Sequence, residues 1–341
     1  MKKEVDKGSR SVLLLNKMDR RNVDETGWTK FTVTANVTIP ANETTYWCTA
    51  VNGPNLTSTH HITAFKPIIK AGNEDLVDHY IVYGCHGFTE NDFHGGVNCL
   101  GTEKVFTKVF SKCKQIHMII VWTVGGEAFY LPQHVGVPIG GNDSPTSFLL
   151  QIAYHNPTNI KGRQDSSGVM LYYTDHLRTY EGGVVSVGVD TNDWQIIPPK
   201  QENWISTGYC MHQCNEDMFE STSPELPGGG IKIFATLIHI QSTGRAAWTK
   251  HVRDGKELPE IARLNTYDFK YQDTQILTKT QEVHIQPGDD LIHQCKYDSM
   301  KRNKLTKGGF FMQDEMCLDF LFYYPRNIWL VIMSKYLIRT F

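Results

Sequence analysis

The stretch Ile231 to Gln241 reads IKIFATLIHIQ. It alternates as a β-strand does. Strand side chains at i and i+2 share a face, so His239 and Gln241 project together and two donors can converge on one metal. Further along lies Glu315-Met316-Cys317, whose Met316 thioether is a soft third donor of the kind that suits Cu(I). An amide, however, is a poor copper donor where an imidazole is a good one. The strand therefore suggests both a copper site and its decay at Gln241.

The rest of the chain reads the same way. Phe31 to Ile39 (FTVTANVTI) keeps a period of two. Strands are also expected at Tyr80–Tyr83, Met118–Trp122, Phe148–Tyr154, Val169–Tyr173, Val184–Val189, Glu282–Ile285 and Leu318–Tyr323. Turn signals separate them, most clearly Asn52-Gly53-Pro54-Asn55, Gly140-Gly141-Asn142-Asp143 and Pro287-Gly288-Asp289. No long helical period, internal repeat or low-complexity tract interrupts the pattern. Many short strands between turns predict sandwiches or barrels. A boundary is expected near Thr179 to Lys200, where Gly182-Gly183 and Pro198-Pro199 flank a strand.

With 341 residues, 40% of them hydrophobic, the chain can bury a sizeable core and has the length of about two domains. A net charge of −2 and the absence of a basic stripe argue against nucleic acid or an anionic membrane surface as partner. No apolar run is long enough to span a bilayer. The eight cysteines are spread over nearly the whole chain, as disulfides are and zinc clusters are not. Sequons at Asn36, Asn42, Asn55 and Asn142 add to a secretory-pathway reading. Met1 to Arg21 has a charged start but only a short apolar run and no small-residue cleavage site, so no signal peptide is visible there.

Several segments together resemble the copper type II, ascorbate-dependent monooxygenases. They are TTYWC (Thr44–Cys48), HHITAFKPIIKAGNEDLVDHYIVYGC (His60–Cys85), AFYLPQHVGVPIGG (Ala128–Gly141) and YHNPTNIKGRQDSSGVMLYYT (Tyr154–Thr174). IPP and TGYC (Ile197–Pro199, Thr207–Cys210) follow, then GGF, EMC and YYP (Gly308–Phe310, Glu315–Cys317, Tyr323–Pro325). The dopamine β-hydroxylase branch is nearer than the peptidylglycine branch. The resemblance implies an all-β fold of two consecutive jelly-roll-like antiparallel β-sandwich domains. On this reading residues 1–27 are an N-terminal remnant, 28–178 and 179–326 the two sandwiches, and 327–341 a tail unlike the family. It further implies one copper per sandwich, the second binding O2 for hydroxylation of a C–H bond and the first storing an electron, with ascorbate as reductant. The implied substrate is a small amine of the catecholamine or phenethylamine type.

Carried over residue by residue, the resemblance places the second-sandwich ligands at His239, Gln241 and Met316, and the first-sandwich ligands at Asp78, His79 and Ala153. Asp78, Ala153 and Gln241 are the degraded positions. Asp78 is a hard donor that suits Cu(I) poorly, and Ala153 offers nothing. A blander reading packs His239 and Met316 in a core. His60-His61 falls upstream of the ligand pair and is expected to be structural. His155 shares a strand face with Ala153 and can replace it only if the strand slips, which is costly where one face is buried. Tyr46 matches a tyrosine with an active-site role in the family, or is a buried aromatic beside Cys48. The resemblance also implies the pairs Cys48–Cys99, Cys85–Cys113 and Cys295–Cys317. It leaves Cys210 and Cys214 as free thiols or paired with each other. The function expected is that of a copper monooxygenase homologue, impaired or inactive for want of half its six ligands. The alternative is a copper-free pseudoenzyme that binds a small molecule or a protein.

Overall fold

The computed structural model describes residues 25–327 except 88, 90–94, 100–112, 114–115, 143, 190–194 and 212–225. Cys214, most of the N-terminal remnant and nearly all of the 327–341 tail thus lie outside the described residues. Those described form strands and turns and no helix, so none of them makes a helix able to cross a membrane.

No sheet mixes strands from before Gly182 with strands from after it. One early sheet runs in the order Thr29–Thr34, Gly168–Thr174, His60–Ile68, Val135–Ile139, Tyr180–Glu181. The other runs Val97–Asn98, Thr44–Asn52, Ser147–His155, Val77–Cys85, Ile116–Thr123. They close on a shared core of Val33, Ile62, Tyr80, Val82, Leu150 and Leu171. Later in the chain, Gly183–Val189, Cys317–Tyr324, Ile231–Ile240 and Gln275–Ile276 form one sheet. Trp204–Cys210, Asp290–Tyr297, Gly244–Arg253 and Lys256–Glu257 form the sheet that faces it.

Two strand expectations need correction. Phe31 to Ile39 is split between Thr29–Thr34 and Val37–Thr38, which belong to different sheets. Burial still alternates through the break, with Val33, Ala35, Val37 and Ile39 inside. The partner changes, because Ala35 and Ile39 donate to Ser167 and Arg163 in the segment leading into Gly168–Thr174. The pairing is also not wholly antiparallel, since Tyr180–Glu181 runs parallel to Val135–Gly136.

Ile231–Ile240 is buried on both faces rather than one. Ile231, Ile233, Ile238 and Ile240 point into the second sandwich, while Phe234, Ala235 and Leu237 join the core of the first. The switch of parity comes from a β-bulge between Ile233 and Ala235 in the pairing with Cys317–Tyr324. A bulge adds a residue to one strand and re-aims everything beyond it. Leu237, His239 and Gln241 therefore face the first sandwich. The seam they enter is apolar, with Phe129 against Phe322 at a centroid distance of 5.1 Å. It is tied by Thr123 Oγ1 donating to Gln272 O at 3.0 Å and by Arg326 Nη2 donating to Glu181 Oε2 at 2.8 Å.

Disulfides join Cys48 to Cys99, Cys85 to Cys113 and Cys295 to Cys317. Cys210 is disulfide-bonded as well, so it is not a free thiol. His61 is buried and its Nδ1 accepts the Arg178 backbone N–H at 2.9 Å, a structural role, and His60 Nδ1 lies 3.0 Å from Ser58 O.

Candidate metal centre at the sandwich seam

Ser147–His155 is the central strand here, and Ala153 is its decisive residue. Its direct partners are Tyr46 on one side and His79 on the other, and His79 is in turn opposite Thr123. Directly paired residues share a face, so Tyr46, Ala153, His79 and Thr123 form one row across the sheet. Because Ala153 carries only a methyl group, the Tyr46 ring reaches over it to meet His79 edge-on, centroids 5.5 Å apart. From the second sandwich, the His239 ring comes to 5.0 Å from that of His79 and Phe310 to 5.3 Å from that of Tyr46. The surviving imidazoles of the two sandwiches thus touch.

In the first sandwich the remaining donors are largely spent. His79 Nδ1 donates to Asp78 Oδ2 at 2.8 Å. Burial alone raises the Asp78 carboxyl, but the bond from His79 and the charges of His79, His239 and His155 outweigh it and hold it below its usual range. The register does shift beside Ala153, through a bulge between Ala153 and Tyr154. It brings His155 within electrostatic reach of Asp78 and leaves His155 Nδ1 buried without a hydrogen bond. Among the described residues, three His, Cys, Asp or Glu donors converge only at His293, Cys295 and Cys317, whose two sulfurs are bonded to each other. The set Asp78, His79 and Ala153 does not fit a copper ion.

The second-sandwich position differs. Gln272 fixes His239. Its Nε2 donates to Phe269 O at 2.8 Å, which turns Oε1 toward His239 Nδ1, also at 2.8 Å. An amide oxygen only accepts, so this network assigns the His239 proton to Nδ1 and leaves a lone pair on Nε2. Burial, aided by the charge of His79, lowers His239 to about 4, so the ring is neutral near pH 7. Its Nε2 is buried with no partner, and so is Gln241 Oε1. Two bare acceptors on one strand face are costly unless something fills them. Ile240 pairs with Cys317, so continuing that register sets buried Met316 opposite Gln241. Nitrogen, oxygen and thioether donors of this kind fit one copper.

Neighbours to which the sequence assigned no role hold this geometry. Glu315 accepts from Gln241 N at 3.1 Å, from Thr243 N at 2.7 Å and from Thr243 Oγ1 at 2.6 Å. It locks the turn that leaves the His239 strand, and burial pushes its carboxyl up to about 7. Gln272 carries no sequence signal and Phe310 appears only within the GGF segment, because their roles exist only once the sandwiches meet. Tyr46 is buried, and burial together with the charges of Asp78 and Asp314 raises its phenol well above the ordinary value. All four sequon asparagines are exposed.

Comparison with known proteins bears on the family. The N-terminal domain of copper type II ascorbate-dependent monooxygenases matches residues 31–161, and the C-terminal domain matches 180–335. The second match runs into the 327–341 segment. Dopamine beta-hydroxylase of Canis lupus familiaris is 38% identical over 86% of this chain and 44% of its own length. DBH-like monooxygenase protein 1 of Homo sapiens is 36% identical over 94% of this chain and 51% of its own. The chain spans about half the length of the curated relatives it matches. Among solved structures, the major capsid protein P2 of bacteriophage PM2 aligns over 88% of this chain and 99% of its own. Its TM-score of 0.36 and 11% identity make that likeness too weak to bear on function. On both domain matches, the chain belongs to the copper type II ascorbate-dependent monooxygenase family.

Proposed function

We propose that this chain is an impaired member of its family that keeps a place for one copper, in the second sandwich, and has lost the other. The observation that carries the reading is the contrast between the two positions. His239 Nε2 and Gln241 Oε1 are buried, bare and on one strand face, whereas the first position offers Ala153, Asp78 and a His79 ring packed against Tyr46. His239, Gln241 and Met316 would hold the metal. Copper there supplies the O2-binding centre that the family places in the second sandwich. The protein's own residues orient and exclude: Gln272 fixes the His239 tautomer, Glu315 fixes Gln241, and Phe310 covers Tyr46. Without the electron store of the first sandwich, coupled hydroxylation of an amine-type substrate by ascorbate and O2 fails or is strongly reduced.

The test is an anaerobic Cu(I) titration with metal content read by mass spectrometry. The expected result is no more than one copper per chain, bound weakly, lost in His239→Ala and kept in His79→Ala. Ascorbate-dependent O2 consumption with a phenethylamine should not exceed a metal-free control. Two coppers per chain, or turnover well above that control, would overturn the reading. If no copper binds, the copper-free binding module remains. We also assign the chain to the secretory pathway, on its bonded cysteines and exposed sequon asparagines.

A further inference from the structure

A cavity opens along the same seam, walled by none of the metal-centre residues. It holds about 420 Å³, within the range of small-molecule sites. One wall is a row across the later sheet. Lys232 pairs with Tyr324 on one side and with His284 on the other, so the three project together. The first-sandwich side supplies His134 and Tyr180, and Lys279 and Thr179 stand at the edge. Tyr180 and Tyr324 lie 4.8 Å apart, and His134 meets Tyr324 edge-on at 4.9 Å. The lining thus combines aromatic faces with two ammonium groups.

One acid, Glu282, stands behind the wall and offsets part of that charge, and the two ammonium groups leave the lining net positive. Glu282 is absent from the lining and its side chain is only 2% exposed. Its Oε2 accepts the Tyr324 hydroxyl at 2.6 Å, while its Oε1 lies 3.2 Å from His134 Nε2 without a hydrogen bond, both behind the wall. His284 is also committed, with Nε2 bonded to Gly229 O at 2.8 Å. Lys232 and Lys279 are left facing the space, and neither has an ion pair among those described. Aromatic walls favour a flat ring, and the two lysines favour an anionic group attached to it.

We propose that this seam cavity binds a small aromatic anion, a single ring bearing a carboxylate, sulfate or phosphate. The charge is opposite to that of the amines the family resemblance implies for the copper centre. The site is therefore not a second berth for the same substrate. It also stands independently of the copper reading, because it uses none of the metal donors.

The experiment is calorimetric titration of the full chain in EDTA, so that a failure of copper binding cannot affect it. The probes are 4-hydroxyphenylacetate, tyramine and inorganic phosphate. Tyramine carries the same phenol ring with a positive charge, and phosphate carries charge without a ring. We expect 4-hydroxyphenylacetate to bind at least about tenfold tighter than either. Lys279→Gln, at an exposed position, should weaken it about threefold and Lys232→Gln about tenfold. Tyr180→Ala should weaken the aromatic anion and leave the weak phosphate response unchanged. Unaltered thermal melting of Lys279→Gln separates lost binding from lost folding. Equal or tighter binding of tyramine, equal binding of phosphate, indifference to both lysine substitutions, or no binding by any probe would each overturn the proposal.

Discussion

Restoring an imidazole at Gln241 tests the metal centre most directly. The substitution Gln241→His costs the fold little. The amide is 3% exposed, its Oε1 is bare, and its Nε2 reaches only to Gly309 O at 3.5 Å. The Glu315 contact runs to the Gln241 backbone and survives any side chain. The imidazole exchanges one buried unpaired acceptor for another, and only the weak Gly309 contact is at stake. Stability without metal should therefore change by less than about 1 kcal/mol. Affinity should change far more. An imidazole replaces an amide on the same strand face as His239, with Met316 opposite, and Cu(I) should bind about 100-fold tighter, or about 3 kcal/mol. Chelator competition under anaerobic conditions reads the affinity. Thermal melting with and without copper reads the same energy by linkage, since a ligand that binds only the folded state raises its stability. Gln241→His with His239→Ala is the control against a gain at some other surface site, and it should lose the gain. An unchanged affinity in a folded Gln241→His protein would refute the placement of the donors. A gain that survives loss of His239 would refute it equally.

Three further outcomes follow from the surrounding contacts. Ala153→His should not restore the first position, because the Tyr46 ring occupies the space over the Ala153 methyl group. Overpacking should cost about 1–3 kcal/mol in urea unfolding, with copper gained only when Tyr46→Ala is added. Gln272→Leu removes the acceptor that holds His239 Nδ1, while the backbone ties of Gln272 to Thr123 and Val124 remain. Copper affinity should fall at least about tenfold, as when an outer partner of a ligating histidine is lost. Asp319 is buried, bonded to Thr249 Oγ1, and pushed up by burial to about 7. The folded state therefore holds the proton more tightly than the unfolded chain. The stability this contributes is full below about pH 4 and is lost as pH rises through about 7. Between pH 5 and pH 8 Asp319→Asn should gain on the parent by roughly 3 kcal/mol. The buried histidines His293, lowered to about 3, and His117, lowered to about 4, act in the opposite direction. The difference between the two proteins, rather than either profile alone, is the quantity to measure.

Strands were legible wherever burial and hydrophobicity coincide, as in Ser147–His155 and Cys317–Tyr324, whose apolar residues dominate. Asp290–Tyr297 shows the opposite case. Its burial alternates strictly, but the inward set is Leu291, His293, Cys295 and Tyr297, so half of it does not look like a core. The site was legible as residue types and not as a place. His239, Gln241 and Met316 can be picked out from a strand and a motif, yet a strict alternation over Ile231–Gln241 would put His239 on the same face as Ile231 and Ile233, inside the second sandwich. The bulge after Ile233 reverses that, and no residue in the strand signals it. The same limit hides Gln272. Its side chain matters because two sandwiches meet where Thr123 and Val124 bond to its backbone, and contacts between segments far apart in sequence leave no local pattern. What the bulge creates is a centre shared across the seam. On the proposed reading, the methyl group of Ala153 does more than lack a donor. It lets Tyr46 close over His79, and His79 in turn lies against His239. On the proposed reading the first position thus bears on the second by packing, and Gln241→His alone should recover a copper but not the electron store.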